Sequence, residues 1–356
     1  MVGKTKINWL SVNHFLKYFS ISFFDEPSML LTEICTKLVA CLFLFIAIAS
    51  YTLIQLRISG EEAVLIIQIR NDGCGMGNQM FMYASGWGIA LSNPHVTACV
   101  YGLENVSHST HPDSALRLHV DILVPVGVKP LEECTSNTSS GFSYFMWRTF
   151  GRDHFTSFFT AIKTFEPPHT VYEPFRLKGE WGPEVVIITG YMESFKYFQN
   201  HAQPFFRMKK FDAAKQWLQH RNLTSVVHVR RSDKMNGPIA TLHYFEQALS
   251  LLGNDGRVAV CTDDVPWVMQ QTLFQNASVS INNSPGFDMA LLTAATDTVI
   301  IGVGTFGWWG AYLSKARRKI FYPFQYIPTE TPSQYRENDF IPYNMSGQGD
   351  WITFRQ

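Results

Sequence analysis

From Ser225 to Tyr322 short apolar, β-branched runs alternate with helix-length segments, and no other feature narrows the fold of this chain as far. The pattern predicts strands at Ser225–Val229, Arg257–Thr262, around Ser278–Ile281, at Thr298–Ile301 and at Lys319–Tyr322. Helices are expected near Leu242–Leu252, Trp267–Leu273, Phe287–Ala295 and Trp308–Ser314. Such alternation builds a parallel sheet with helices on both faces. Parallel crossovers bring the carboxyl tips of all strands to one edge, where open α/β sheets bind ligands. Three tips end in polar residues: Arg230 and Arg231, Thr262 to Asp264, and Gly302 to Phe306. They are expected to converge on one cleft.

The segment His228–Lys234, HVRRSDK, carries the chemistry. Two arginines leaving a strand put guanidinium forks at its tip. Guanidinium groups bind phosphate oxygens in bidentate fashion and stay charged at any working pH, so they can stabilise the charge that grows on a departing nucleoside diphosphate. The bland alternative is a solvated pair with Asp233 as its salt-bridge partner. Asp263 and Asp264 have two readings as well. Adjacent acids suggest a metal, but the chain lacks the DxD spacing of metal-dependent sugar transferases. A carboxylate here would instead pair with the edge N–H groups of guanine, or cap the helix that follows, with Pro266 early in it.

Nearer the N-terminus, Ala63–Ile69 is a strand-length apolar run followed by NDGCGMGNQ and a helix-length segment from Met80 to about Leu91. A glycine loop feeding a helix lets backbone N–H groups approach an anion, aided by the helix dipole. Asn78 adds a side-chain amide. The glycines at positions 73, 75 and 77 fail the GxGxxG spacing at its last position, which argues against a nicotinamide enzyme. The stretch from Pro94 to about Gly182 carries no periodicity that assigns its strands. Val185–Ile188 is another expected strand, running into GYMESFKYF, whose Tyr191, Glu193 and Lys196 either line a cleft or begin a helix with aromatic core contacts.

The run Leu38–Ile54 has seventeen residues without a charge, between Lys37 and Arg57, enough to span a bilayer near the lower limit. With 37 residues before it, a signal anchor fits better than a cleaved signal peptide. Lys4, Lys6, Lys17 and Lys37 precede the run, and the positive-inside rule then puts the N-terminus in the cytosol. Glycosylation sequons at Asn105, Asn137, Asn222, Asn276, Asn282 and Asn344 all follow it, in agreement. The expectation is a single-pass type II glycoprotein of the secretory pathway. Of the cysteines, Cys35 and Cys41 lie at the membrane, while Cys74, Cys99, Cys134 and Cys261 are lumenal and permit three disulfide pairings. No Cys/His cluster suggests zinc. Equal numbers of basic and acidic residues, 29 each, argue against a nucleic-acid partner, so any anion site is local. The 14% aromatic content suits either sugar clefts or dense cores.

GMGNQMFMYA at Gly75–Ala84, HVRRSD at His228–Asp233, and FDMALLTAATDTVIIGVGTFGWWGAYLS at Phe287–Ser314 resemble the motifs of α-1,2-fucosyltransferases, the animal type of glycosyltransferase family 11. GYMESFKYF and CTDDVPWV look like that family's intervening signatures. The resemblance runs from about Ala63 to Tyr322. The arginine motif alone is shared with α-1,6- and protein O-fucosyltransferases.

The resemblance implies a GT-B-like α/β architecture: two Rossmann-like domains with a donor cleft between them, preceded by a single transmembrane helix. The boundaries expected are a cytoplasmic tail at 1–37, an anchor at 38–54, a short stem at 55–62, an acceptor-side domain at 63–210 and a GDP-fucose-binding domain at 211–356. By analogy Arg230 and Arg231 contact the pyrophosphate, His228 sits against the donor, and Asp263 or Asp264 approaches guanine. Asn78 reaches the pyrophosphate and fucose from the other domain, and Thr305 and Phe306 line the phosphate and nucleoside side. The implied reaction moves L-fucose from GDP-fucose to the 2-hydroxyl of a galactose in a glycan, with inversion, with no metal or other cofactor, at the Golgi membrane. The general base stays open among Asp233, Glu193 and Glu180. Departures from the family pattern are Cys74 in place of the first loop glycine, Ser232 where a glycine follows the arginines, and Glu193 for a glutamine. They bear on acceptor more than donor. The competing classes are a fucosyltransferase acting on core N-acetylglucosamine or protein hydroxyls, and a sugar-binding protein that has lost catalysis.

Overall fold

The structure, a computed structural model, describes residues 64–68, 75–94, 96–101, 116–130, 162–167, 171–175, 185–200, 205–231, 239–252, 257–281, 283–322, 339, 341 and 350–353. The expected anchor at 38–54, Asp233, Ser232, Glu180 and Cys74 fall outside them. No helix among the described residues is long and apolar enough to cross a membrane.

In chain order the N-terminal elements are β1 (Val64–Gln68), α1 (Met76–Leu91), β2 (Thr97–Tyr101), α2 (Leu116–His119), β3 (Val120–Ile122), β4 (Val128–Pro130), β5 (Ile162–Phe165), β6 (Val185–Ile188) and β7 (Phe206–Met208). Then follow α3 (Phe211–His220), β8 (Val226–Val229), α4 (Leu242–Ser250), β9 (Ala259–Thr262), α5 (Val265–Gln270), β10 (Ser278–Val279), α6 (Pro285–Ala294), β11 (Thr298–Ile301), α7 (Thr305–Leu313), β12 (Arg318–Phe321) and β13 (Asp350–Thr353). The described strands form one sheet in the order β4-β2-β1-β6-β5, another in the order β10-β9-β8-β11-β12-β13, and a β3-β7 pair. Backbone contacts divide the chain into two units: Met1–Val64 with Glu132–Lys163 and Gly179–Val186, and Leu65–Leu131 with Thr164–Lys178 and Ile187–Gln356. Of the first, the described residues are the leading ends of β1, β5 and β6. All described site residues lie in the second.

The expected alternation is present. β8 runs parallel to both β9 and β11, with His228 opposite Cys261 on one side and Ile301 on the other. One face of this sheet is a β-branched core: Val227, Val229, Val260, Ile300 and Ile320 pack with Tyr244, Phe245 and Ala248 of α4. Side chains alternate along a strand, so Val226 and His228 face the other way. The helices start where side chains replace missing backbone acceptors. Thr241 accepts from the Tyr244 N–H at 3.2 Å, Asp264 from the Trp267 N–H at 3.1 Å and Ser284 from the Phe287 N–H at 3.4 Å. Pro266 and Pro285 sit in first turns, where a lost N–H costs nothing.

Four helices begin earlier than the sequence suggests, α5 and α6 by two residues and α1 and α7 by more. α1 starts at Met76 rather than Met80, and α7 at Thr305 rather than Trp308. The glycines that read as loop are inside their first turns, because tertiary contact outweighs the roughly 1 kcal/mol helix penalty of a glycine. At Gly77 that contact is explicit: a Cβ there would lie 2.6 Å from the Phe306 nitrogen and the Thr305 carbonyl carbon. The tryptophans of α7 are core. Trp308 stacks on Tyr312 at 4.8 Å and meets Phe81 of α1 at 4.7 Å, while Trp309 stacks on Phe198 at 5.4 Å. Three tryptophans, Trp87, Trp308 and Trp309, are buried, so these serve packing rather than a sugar cleft.

Candidate active site at the strand tips

The tips of β9, β8 and β11 stand side by side, as the polar strand ends suggest. From β8 the chain leaves through Arg230 and Arg231, and these successive residues go opposite ways. Arg230 lies against the loop between β11 and α7: a Cβ on Gly304 would overlap its Nη1. Gly304 has φ +95°, a conformation that glycine adopts without strain, and it caps α7. A guanidinium therefore borders the N-terminus of a nine-residue helix, where unpaired N–H groups and the helix dipole both favour an anion.

Arg231 turns toward β9. Its backbone N–H donates to Asp263 Oδ1 at 2.7 Å, its Nε is 3.8 Å from Asp264 Oδ2, and its guanidinium carbon is 3.9 Å from the centre of the Trp267 ring. Asp264 also caps α5, so the capping reading of this acid is observed. Asp263 spends one oxygen on the β8 tip. Both acids thus have partners within the protein.

His228 is buried at the end of β8, its ring stacked on Phe306 with centroids 5.3 Å apart. The neighbouring backbone is fixed by Gly302 N–H donating to His228 C=O at 3.0 Å. Thr305 is buried, and its hydroxyl donates to Asn78 Oδ1. That bond leaves the NH2 end of the Asn78 amide as the donor for a ligand oxygen. Asn78 is in the first turn of α1. The structure thus brings Asn78, His228, Arg230, Thr305 and Phe306 into one neighbourhood, with Arg231, Asp263 and Asp264 forming its β9 side. Asp233 lies outside the described residues.

The GYMESFKYF segment is a buried hub instead of a cleft wall. Glu193 is fully buried, and Lys196 pairs with the buried Asp339, which also accepts from the Tyr172 N–H at 2.8 Å. Met192, at φ +46°, offers its carbonyl to the Ser85 hydroxyl of α1 at 2.8 Å. A non-glycine residue at positive φ is uncommon and stores strain.

Three side chains near the tips escaped the sequence reading. Trp267 carries the Arg231 stack, and a tryptophan three residues after a capping acid is the signal that was available. Asp288, in the first turn of α6, accepts from the Ser280 hydroxyl at 2.5 Å. Burial pushes its carboxyl up to about 6, against the lowering effect of the Ser280 bond. Beside it Cys261, which the sequence counts among the four cysteines that could pair, is instead buried and free, with its thiol donating to the Asp288 carbonyl at 3.7 Å and its pKa raised by burial. Neither Ser280 nor Asp288 has a local motif that would single it out. Cys99 is disulfide-bonded.

A parallel α/β domain with an arginine and a helix N-terminus at its strand tips is arranged to hold an anion at that edge. Residues 197–336, a stretch that holds the arginine motif and all the C-terminal site residues, match the family model for glycosyl transferase family 11. The chain is 28% identical over 111 residues to the O-antigen biosynthesis glycosyltransferase WbnK of Escherichia coli, covering 27% of this chain and 36% of that protein. It is 29% identical over 185 residues to a galactoside 2-alpha-L-fucosyltransferase of Caenorhabditis elegans, covering 44% of this chain and 51% of that one. These matches span about a third and about half of the two relatives. The second supports the α-1,2-fucosyltransferase resemblance of the motifs. Among solved structures, the fucosyltransferase NodZ of Bradyrhizobium is similar with a TM-score of 0.40 and 15% identity, over 72% of this chain and 94% of that one.

Proposed function

We propose that this protein is an inverting galactoside α-1,2-fucosyltransferase that moves L-fucose from GDP-fucose to the 2-hydroxyl of a galactose in a glycan. The observation that carries the reading is the meeting of Arg230 with the N-terminus of α7, inside the stretch that matches glycosyl transferase family 11. Leaving-group departure puts charge on the β-phosphate. Arg230 and the first N–H groups of α7 would receive that charge where it grows, which lowers the barrier more than it tightens ground-state binding. Asn78, held by Thr305, would donate to a phosphate or sugar oxygen from α1. His228 and Phe306, stacked on each other, would close the nucleoside side, and Asp263 or Asp264 would face the base.

Charge stabilisation by arginine and helix dipole makes metal-independent transfer the proposed route, with Asp233 as the proposed partner of the arginines. A GT-B arrangement, a type II signal anchor at 38–54, and a lumenal catalytic region at the Golgi membrane complete the reading. The galactose acceptor follows from the likeness to the nematode relative. The test is turnover by a secreted fragment from about Gly60, with GDP-fucose, galactose-terminated and chitobiose-core acceptors, and EDTA present. Fucose on the galactose 2-hydroxyl, lost in Arg230→Ala, supports the proposal. Transfer only to core or peptide acceptors overturns the acceptor, and no transfer with no GDP binding overturns the enzyme.

A further inference from the structure

The two adjacent arginines diverge. Arg230 is directed at the β11–α7 loop, while Arg231 is directed at the β9–α5 loop, and the second direction is fixed by three separate contacts. We infer that Arg231 is a strut rather than a phosphate ligand, and that Trp267, with Asp263 and Asp264, is the positioning group that aims Arg230 at the leaving diphosphate. The inference rests on the fucosyl-transfer reading and assigns a division of labour within it.

The geometry supports this in three ways. The Arg231 guanidinium lies on the face of Trp267, so one of its two flat faces is covered. Its Nε is buried and 3.8 Å from Asp264, too far for a hydrogen bond but close enough for charge attraction. The Arg231 backbone N–H is bound at 2.7 Å by Asp263, which pins the first residues beyond β8 to the tip of β9. Asp264 meanwhile caps α5 through the Trp267 N–H. One acid therefore sets both the helix that carries the ring and the arginine that rests on it. Because Arg230 directly precedes Arg231, any slack at Arg231 swings the Arg230 side chain away from the helix N-terminus. Lysine at position 231 would keep the charge and lose the planar stack.

The test uses the same secreted fragment and reads GDP affinity by calorimetry, turnover with GDP-fucose, and the arginine Nε–H resonances by NMR. In the free protein one Nε–H signal should be shifted by a tryptophan ring current and should move in Trp267→Leu. Trp267→Leu should weaken GDP binding about tenfold, in line with a partly desolvated cation–π contact. It should lower kcat further, because Arg230 acts most in the transition state. Trp267→Phe should restore most of both, and Arg231→Lys should resemble Trp267→Leu. Equal loss in Trp267→Phe and Trp267→Leu, or full GDP affinity and turnover in Trp267→Leu, overturns the strut while leaving the fucosyl-transfer reading intact. Failure of the unaltered protein to bind GDP overturns both, and the NMR signal then reports only that the stack exists.

Discussion

At the scale of single residues, the energetic exception is Lys319. It is fully buried on β12; among the described residues its Nζ has no hydrogen-bond partner, and the Trp351 ring centre lies 5.6 Å from it. Burial lowers its pKa to about 8 from the ordinary 10.5. Between those values the unfolded chain holds more protons than the folded one, so this residue makes stability rise with pH from about 8 to about 10.5. Lys319→Met should stabilise the fold at neutral pH by about 1–3 kcal/mol, since an unpaired ammonium is costly to bury. The gain should vanish above pH 10.5, and urea unfolding of both proteins at pH 7 and 10.5 checks it. Gain that is the same at both pH values would locate the effect in packing rather than charge. The lysine was visible in the sequence only as the start of a strand. Its burial depends on β13, which comes from elsewhere in the chain.

At the scale of elements, α1 and α7 are the pair that assembles the site. Gly77 lets the α1 backbone approach Thr305 and Phe306, and the Thr305–Asn78 bond forms across that approach. Gly77→Ala should force the helices apart, destabilising the protein by about 1–3 kcal/mol and weakening GDP binding together. Gly75→Ala, where a Cβ meets nothing within 4 Å, should change stability by less than about 0.5 kcal/mol. Thermal melts with and without GDP compare the two. The strand sites were legible because short apolar runs rich in Val and Ile report a buried strand locally. Helix starts were less so, because a glycine reads as loop unless its neighbour in space is known. α3, with its amphipathic FDAAKQWLQH, and the edge strand β13 were missed for a related reason. One is short and flanked by no strong breaker, and the other is paired only through its partner β12.

At the scale of the whole molecule, a ligand that binds the folded state alone stabilises it by mass action. GDP at a hundredfold excess over its Kd should raise the unfolding free energy by about 2.7 kcal/mol, and a nicotinamide dinucleotide at the same concentration should not. Equal stabilisation by both would return the glycine loop to the dinucleotide reading. The sequence by itself determined the class of fold and the edge that carries chemistry. Strand and helix periods, polar strand ends and the arginine pair are properties of neighbours along the chain, and parallel crossovers then leave one edge for the ligand. Tertiary structure decided how that edge is used. Whether a tryptophan lines a cleft or fills a core, which aspartate caps a helix, and which way each arginine points depend on partners remote in sequence, as with Asn78 and Thr305, 227 residues apart. Those choices come from packing and desolvation, which no local pattern encodes.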